Sequence, residues 1–187
     1  MNSSRHLPPA RTIRTPLWVA AAAALLFGSA TPATAHTDEG CDAFTWDLTT
    51  ALAAMRTPGT ALHAGTDPAK LPPRIDIGKH YSLTLAPQPD IHFAHPPARP
   101  PRADKPTAGL VSFTVPTAGR YRIGLSSSHW IDVLDGATVI DSLDHQGRAG
   151  CALLHKVVEF ELPAGRPLTL QISGQEAATI ELIVSPA

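Results

Sequence analysis

Val157-Val-Glu-Phe-Glu-Leu-Pro-Ala-Gly-Arg-Pro-Leu-Thr-Leu-Gln-Ile-Ser-Gly174 decides the fold. Val158, Phe160 and Leu162 alternate with Glu159 and Glu161, and Leu168, Leu170 and Ile172 alternate with Thr169, Gln171 and Ser173. A period of two puts apolar side chains on one face of a strand and polar ones on the other. Pro163-Ala-Gly165 between the two runs is turn chemistry, and Ser173-Gly174 reads as a second turn. The same alternation occurs at Tyr81/Leu83/Leu85, Val111/Phe113/Val115, Tyr121/Ile123/Leu125, Ile131/Val133 and Ile180/Leu182/Val184. Pro116-Thr-Ala-Gly119 and Asp135-Gly136 supply further turns. Short strands at roughly ten-residue spacing, each with one wet side, predict a mostly β fold. The expected form is an antiparallel, jelly-roll-like β-sandwich, with a barrel as the alternative.

Two segments depart from that period. Phe44, Leu48, Leu52 and Met55 share one face of a 3.6-residue repeat. They predict one short helix over Asp42–Arg56, started by Asp42 and stopped by Pro58-Gly59. Trp46 lies off that stripe, against the sheet edge. Residues 87–106 hold seven prolines. Proline donates no ladder hydrogen bond, so this stretch reads as a long surface loop, either functional or a plain linker.

The N-terminus reads as an address. Arg5, Arg11 and Arg14 precede the apolar run Leu17–Phe27, and Ala33-Thr-Ala35 follows. Together these are the parts of a secretory signal peptide over residues 1–35. The apolar run is shorter than the roughly 20 residues of a membrane span. Cleavage before His36 leaves a single domain over 36–187 with twelve basic residues against sixteen acidic ones, a net charge of −4. That balance excludes a nucleic-acid binder, which needs a basic surface. The expected destination is the periplasm or the medium, with no membrane span after cleavage. In an oxidising compartment Cys41 and Cys151 pair, the alternative being a redox or metal thiol.

No catalytic motif stands out. Ser126-Ser-Ser-His129 sets hydroxyls beside an imidazole without a G-x-S-x-G elbow. Glu159 and Glu161 read as a solvated strand face. Residues 36–187 carry eight histidines, and histidine is the commonest transition-metal ligand. His92 and His95 sit three apart in a stretch that prolines keep from being helical. His129, His145 and His155, with Asp132, Asp141 and Asp144 nearby, lie in or beside loops around Cys151. They are either a zinc or copper ligand set or separate solvated side chains. Trp130, with Asp132, is either a platform for a sugar ligand or a plug in the end of the core. Lys156 reads as an edge charge against strand aggregation.

Phe113-Thr-Val-Pro-Thr-Ala-Gly-Arg-Tyr121 resembles the strand–turn–strand hairpin of pre-peptidase C-terminal and carbohydrate-binding-type sandwiches, over residues 109–187. Trp130-Ile-Asp-Val-Leu-Asp135 departs from the acidic calcium-binding run of those domains. Phe44-Thr-Trp-Asp-Leu48, Leu83-Thr-Leu-Ala-Pro87, Trp130-Ile-Asp-Val133 and Cys151 through Phe160 also resemble a group of small exported proteobacterial proteins of unknown role. Some of that group bear the label homogentisate 1,2-dioxygenase. The label implies an iron held by two His and a Glu, a pattern with no distinctive match here. Two functions are therefore expected: a non-catalytic periplasmic binding or accessory module for a small ligand or an envelope protein, or a histidine-based metal protein. A third, a structural envelope partner, would use the Pro-rich loop.

Overall fold

The structure, a computed structural model, describes residues 40–187. The expected signal peptide and His36 lie outside the described residues. The strands are β1 (Thr60–His63), β2 (Tyr81–Thr84), β3 (Ala86–Pro87), β4 (Thr107–Phe113), β5 (Gly119–Leu125), β6 (Trp130–Asp135), β7 (Thr138–Ile140), β8 (Ser142–Gly147), β9 (Lys156–Leu162), β10 (Leu168–Gln175) and β11 (Thr179–Pro186). They form a six-stranded sheet in the order β1-β2-β11-β5-β9-β8 and a five-stranded sheet in the order β3-β4-β10-β6-β7. All pairings are antiparallel except β1 with β2. The expected sandwich is present.

Its core is the alternating set read from the sequence. Val111, Phe113, Ile131, Val133, Leu168, Leu170 and Ile172 from one sheet meet Leu83, Ile123, Leu125, Phe160, Leu162, Leu182 and Val184 from the other, all buried. Each such side chain contributes roughly 1.5–3 kcal/mol on burial.

The connections differ from the expected hairpins. β4 belongs to the five-stranded sheet and β5 to the six-stranded one, so Pro116–Gly119 is an arch between sheets. Pro163–Gly165 is likewise an arch, from β9 to β10. Alternation fixes which face a residue presents; it carries no information about which sheet the next strand joins. Asp135-Gly136 does make a hairpin, with Asp135 opposite Thr138 and Gly136 at a positive φ of 62°. Ser173-Gly174 is a bulge within β10 rather than a turn. Ile172 pairs with Gly109 and Gln175 with Thr107, so one extra residue is absorbed there, and Gly174 takes the positive φ of 90°.

Each outer face is partly covered. The helix over the N-terminal segment is shorter than expected: a 3₁₀ turn at Cys41–Ala43, extended backbone at Phe44, then an α-helix, α1, at Thr49–Met55. Asp47, not Asp42, supports its start, accepting from Thr49 N at 3.0 Å. The stripe still buries its apolar side. Phe44, Leu48, Ala51 and Met55 pack with Leu153, Leu154, Val157 and Ile183 on the outside of the six-stranded sheet. The Cys41–Cys151 disulfide is formed and buried in that layer. Arg122 from β5 lies 4.7 Å from the centre of the Trp46 ring, binds the Asp47 carbonyl at 3.0 Å and pairs with Glu159 at 3.0 Å. Glu159 is therefore buried beneath this layer, while Glu161 is exposed as expected.

Candidate functional site

The Pro-rich segment is a strap laid across the outside of the five-stranded sheet. It opens with the short strand β3 and a 3₁₀ turn at Gln88–Asp90. Ile91 and Phe93 then cover Ala108 and Leu110 of β4. Its backbone is held by polar side chains that point outward from the sheet. Gln171 accepts from Ala94 N at 2.9 Å and His95 N at 3.4 Å, and donates to the His95 carbonyl at 3.0 Å. Asp132 Oδ2 accepts from Ala98 N at 3.3 Å. At the bulge, Gly174 N donates to Gln88 Oε1 at 2.9 Å and the Gly174 carbonyl accepts from Arg102 N at 3.1 Å. A proline-rich chain cannot pair as a strand, so side-chain amides and carboxylates take the place of the ladder.

Strap and sheets together enclose a cleft of about 310 Å³ at one end of the sandwich. Ile131 and Val158, from opposite sheets, line it where it meets the core. Arg99 and Arg102 come from the strap, Trp130 from β6, His145 from β8, Lys156 from the start of β9 and His155 from the loop before it. Ser128, Ser142 and Ser173 add hydroxyl-bearing side chains, and among the described residues the wall contains no Asp or Glu.

Trp130 is fixed in this wall. Its Nε1–H donates to Asp132 Oδ1 at 2.8 Å. The Arg99 guanidinium lies 5.2 Å from the ring centre and the Lys156 ammonium 4.8 Å from it. Both are cation–π distances. Trp130 thus lines the cleft as a platform for cations of the protein itself, and Asp132 stands behind it as the group that orients it.

Lys156 Nζ also donates to the His129 carbonyl at 3.1 Å. Burial pushes the Lys156 amine down to about 8, the Arg102 charge acts in the same direction, and Asp132 opposes it. His129 lies beneath the cleft, fully buried. The Thr107 hydroxyl faces the carbonyls of Gln175 and Ala177 at 3.0 and 2.9 Å, so its single proton goes to a carbonyl. His129 Nε2–H then donates to Thr107 Oγ1 at 3.1 Å, and Nδ1 accepts from Ser127 Oγ at 2.8 Å. Burial pushes this imidazole down to about 4; the Gln175 carbonyl works against that and the Lys156 charge with it. The ring is neutral, with both nitrogens engaged.

The expected histidine trio is therefore not assembled as a ligand set. His145 and His155 reach the same cleft, but His129 has no lone pair to offer a metal. Among the described residues no group of three His, Cys, Asp or Glu side chains is placed to hold a metal ion. Asp144 and His145 lie on an edge strand, not a loop; Ser142-Leu-Asp-His-Gln-Gly147 has no apolar alternation to announce it. His92 and His95 are partnered separately, with Asp67 at 3.8 Å and the Pro96 carbonyl at 2.8 Å. Ser126 Oγ accepts from Glu181 N, and Ser127 is held by His129. The serine run is a set of structural hydroxyls, of which Ser128 alone lines the cleft.

The sequence reading missed Arg99 and Arg102 in the Pro-rich segment. It also missed Lys156 as part of a site. Only the strap's course over the sheet brings the three together. The chain matches no protein-family model, no curated protein and no solved structure.

Proposed function

We propose that this chain is an exported, periplasmic, non-catalytic binding protein, and that it takes a small ligand in the Trp130 cleft. The observation that supports binding over turnover is how three of the polar groups at the cleft are used. Asp132 orients the indole, Lys156 holds a backbone carbonyl, and His129 is neutral, buried and engaged at both nitrogens. A general base needs a free lone pair within reach of the substrate, and these groups are committed to rigidity instead. A cleft walled by a fixed aromatic ring and a few convergent polar groups is the usual form of a small-molecule site. Export fits the Cys41–Cys151 disulfide and the absence, among the described residues, of a helix long and apolar enough to cross a membrane.

The test uses Trp130 as its own reporter. After cleavage before His36 the chain retains two tryptophans, Trp46 and Trp130. On a Trp46→Phe background, a panel of sugars, amino acids and organic acids is titrated against indole emission. A saturable change with at least one class is expected. Silence across the panel, or a stoichiometric transition metal carried by the purified protein, would refute this reading, the second in favour of a histidine-based metal protein. Mass spectrometry of the periplasmic fraction, with His36 as the expected first residue, checks the export.

A further inference from the structure

The chain over 36–187 carries a net charge of −4, yet one concave surface gathers positive charge and excludes negative charge. Among the described residues Arg99, Arg102 and Lys156 line the cleft beside the imidazoles of His145 and His155, and no carboxylate does. Like charges set together repel, and a fold tolerates that most readily where something of opposite sign completes the set. Burial is the main cause that pushes Lys156 down to about 8, and the Arg102 charge adds to it. The compensation available is incomplete. Asp132 is turned toward the indole and the strap backbone, and the Trp130 ring partly screens Arg99 and Lys156. Several basic side chains elsewhere among the described residues do have carboxylate partners: Arg120 and Arg122 share Glu159, Arg166 meets Asp135 at 2.9 Å, and Lys79 meets Asp76 at 2.8 Å.

We infer that the ligand of this cleft is a small molecule bearing a phosphate monoester, seated between the strap arginines and Lys156, with its organic part toward Ile131 and Val158. The inference rests on the cleft being the ligand site. A single carboxylate is satisfied by one bidentate arginine; three cations with hydroxyl-bearing side chains around them suit a doubly charged oxyanion with three acceptor oxygens. The apolar residues and the volume leave room for a group the size of a monosaccharide. Because Arg99 and Arg102 belong to the strap while Lys156 belongs to β9, the ligand bridges the two and holds the strap down.

The protein purified from the periplasm is titrated calorimetrically with glucose 6-phosphate, inorganic phosphate and glucose. Saturable binding of glucose 6-phosphate is expected, weakening as salt rises from about 0.05 to about 0.5 M. Arg102→Gln, an exposed side chain whose loss leaves the core untouched, lowers that affinity by about tenfold. Arg166→Gln, outside the cleft, leaves it unchanged. Lys156→Met is compared only if its thermal unfolding matches wild type. If inorganic phosphate binds as tightly as the ester, the oxyanion alone is recognised and the organic part of the inference falls. If glucose binds as well as its phosphate and salt has no effect, the cleft is a neutral-ligand site: this inference is overturned and the binding function stands. If none of the three probes binds while the indole titration finds a ligand of another class, the phosphate inference is again overturned alone. If that titration is silent too, both fail.

Discussion

Lowering the pH from about 7 to about 4 will strip stability from the wild-type chain and largely spare a His129→Gln variant. The fold accepts only the neutral ring, because Nδ1 accepts from Ser127 and Nε2–H is spent on Thr107. Unfolded, the imidazole takes its proton near pH 6.5; folded, it does so only near 4. Between those values the unfolded chain binds more protons, so each fall in pH favours unfolding. No penalty exists above about 6.5, and it is complete below about 4. The gap is about two and a half pH units at about 1.4 kcal/mol each, a total loss of about 3–4 kcal/mol. In the variant the glutamine amide can still donate to Thr107, but Ser127 loses its acceptor, at a cost of about 1–2 kcal/mol at neutral pH. The two stability curves therefore cross near pH 5. Urea unfolding of both proteins at half-unit steps measures this, and every other titrating group cancels in the difference. Curves that run parallel from pH 7 to 4 would refute the buried neutral ring.

Other perturbations probe the layers outside the core. Reducing the Cys41–Cys151 bond, or replacing both cysteines by alanine, frees a loop of 110 residues and costs up to about 4.7 kcal/mol, read as a lower urea midpoint with and without reductant. Gln171→Leu removes the amide that holds Ala94 and His95, costs roughly 1–3 kcal/mol and loosens the strap. Arg102–Ala103 is the strap bond open to trypsin, since Arg99 and Lys105 both precede proline, and cleavage there should quicken several-fold in this variant. Gly124→Ala meets the flexible end of Leu154 at 2.7 Å and will be mildly destabilising. Gly109→Ala meets the Ala64 Cβ, next to backbone that cannot yield, and will cost more, both read as a fall in the thermal-unfolding midpoint.

Legibility followed the range of the interactions. Alternation is local, so the strands at Tyr81, Val111, Tyr121, Ile131, Val158, Leu168 and Ile180 were readable, and with them the core. The β8 strand was not, because an edge strand with an exposed face needs no alternation: five of its residues from Ser142 to Gly147 are exposed. The burial of Gln171 and Asp132 was hidden for a different reason. They occupy outward positions that read as wet, and only the strap, more than thirty residues away in sequence, covers them. The site suffered most. His129 looked like a ligand because it is a histidine near other histidines, whereas its fate was set by Thr107, Ser127 and full burial. Arg99, Arg102 and Lys156 meet only through topology.

β10 joins β4 to β6, and β11 joins β2 to β5. Take these two strands away and each sheet falls into two pieces. They also follow every other strand named here, so each sheet becomes one piece only after the rest of its strands have been made. A chain threaded through a membrane N-terminus first keeps both sheets open until β10 and β11 have passed. The order of the strands thus works as a timer: each sheet stays in two pieces until β10 and β11 are free to join it.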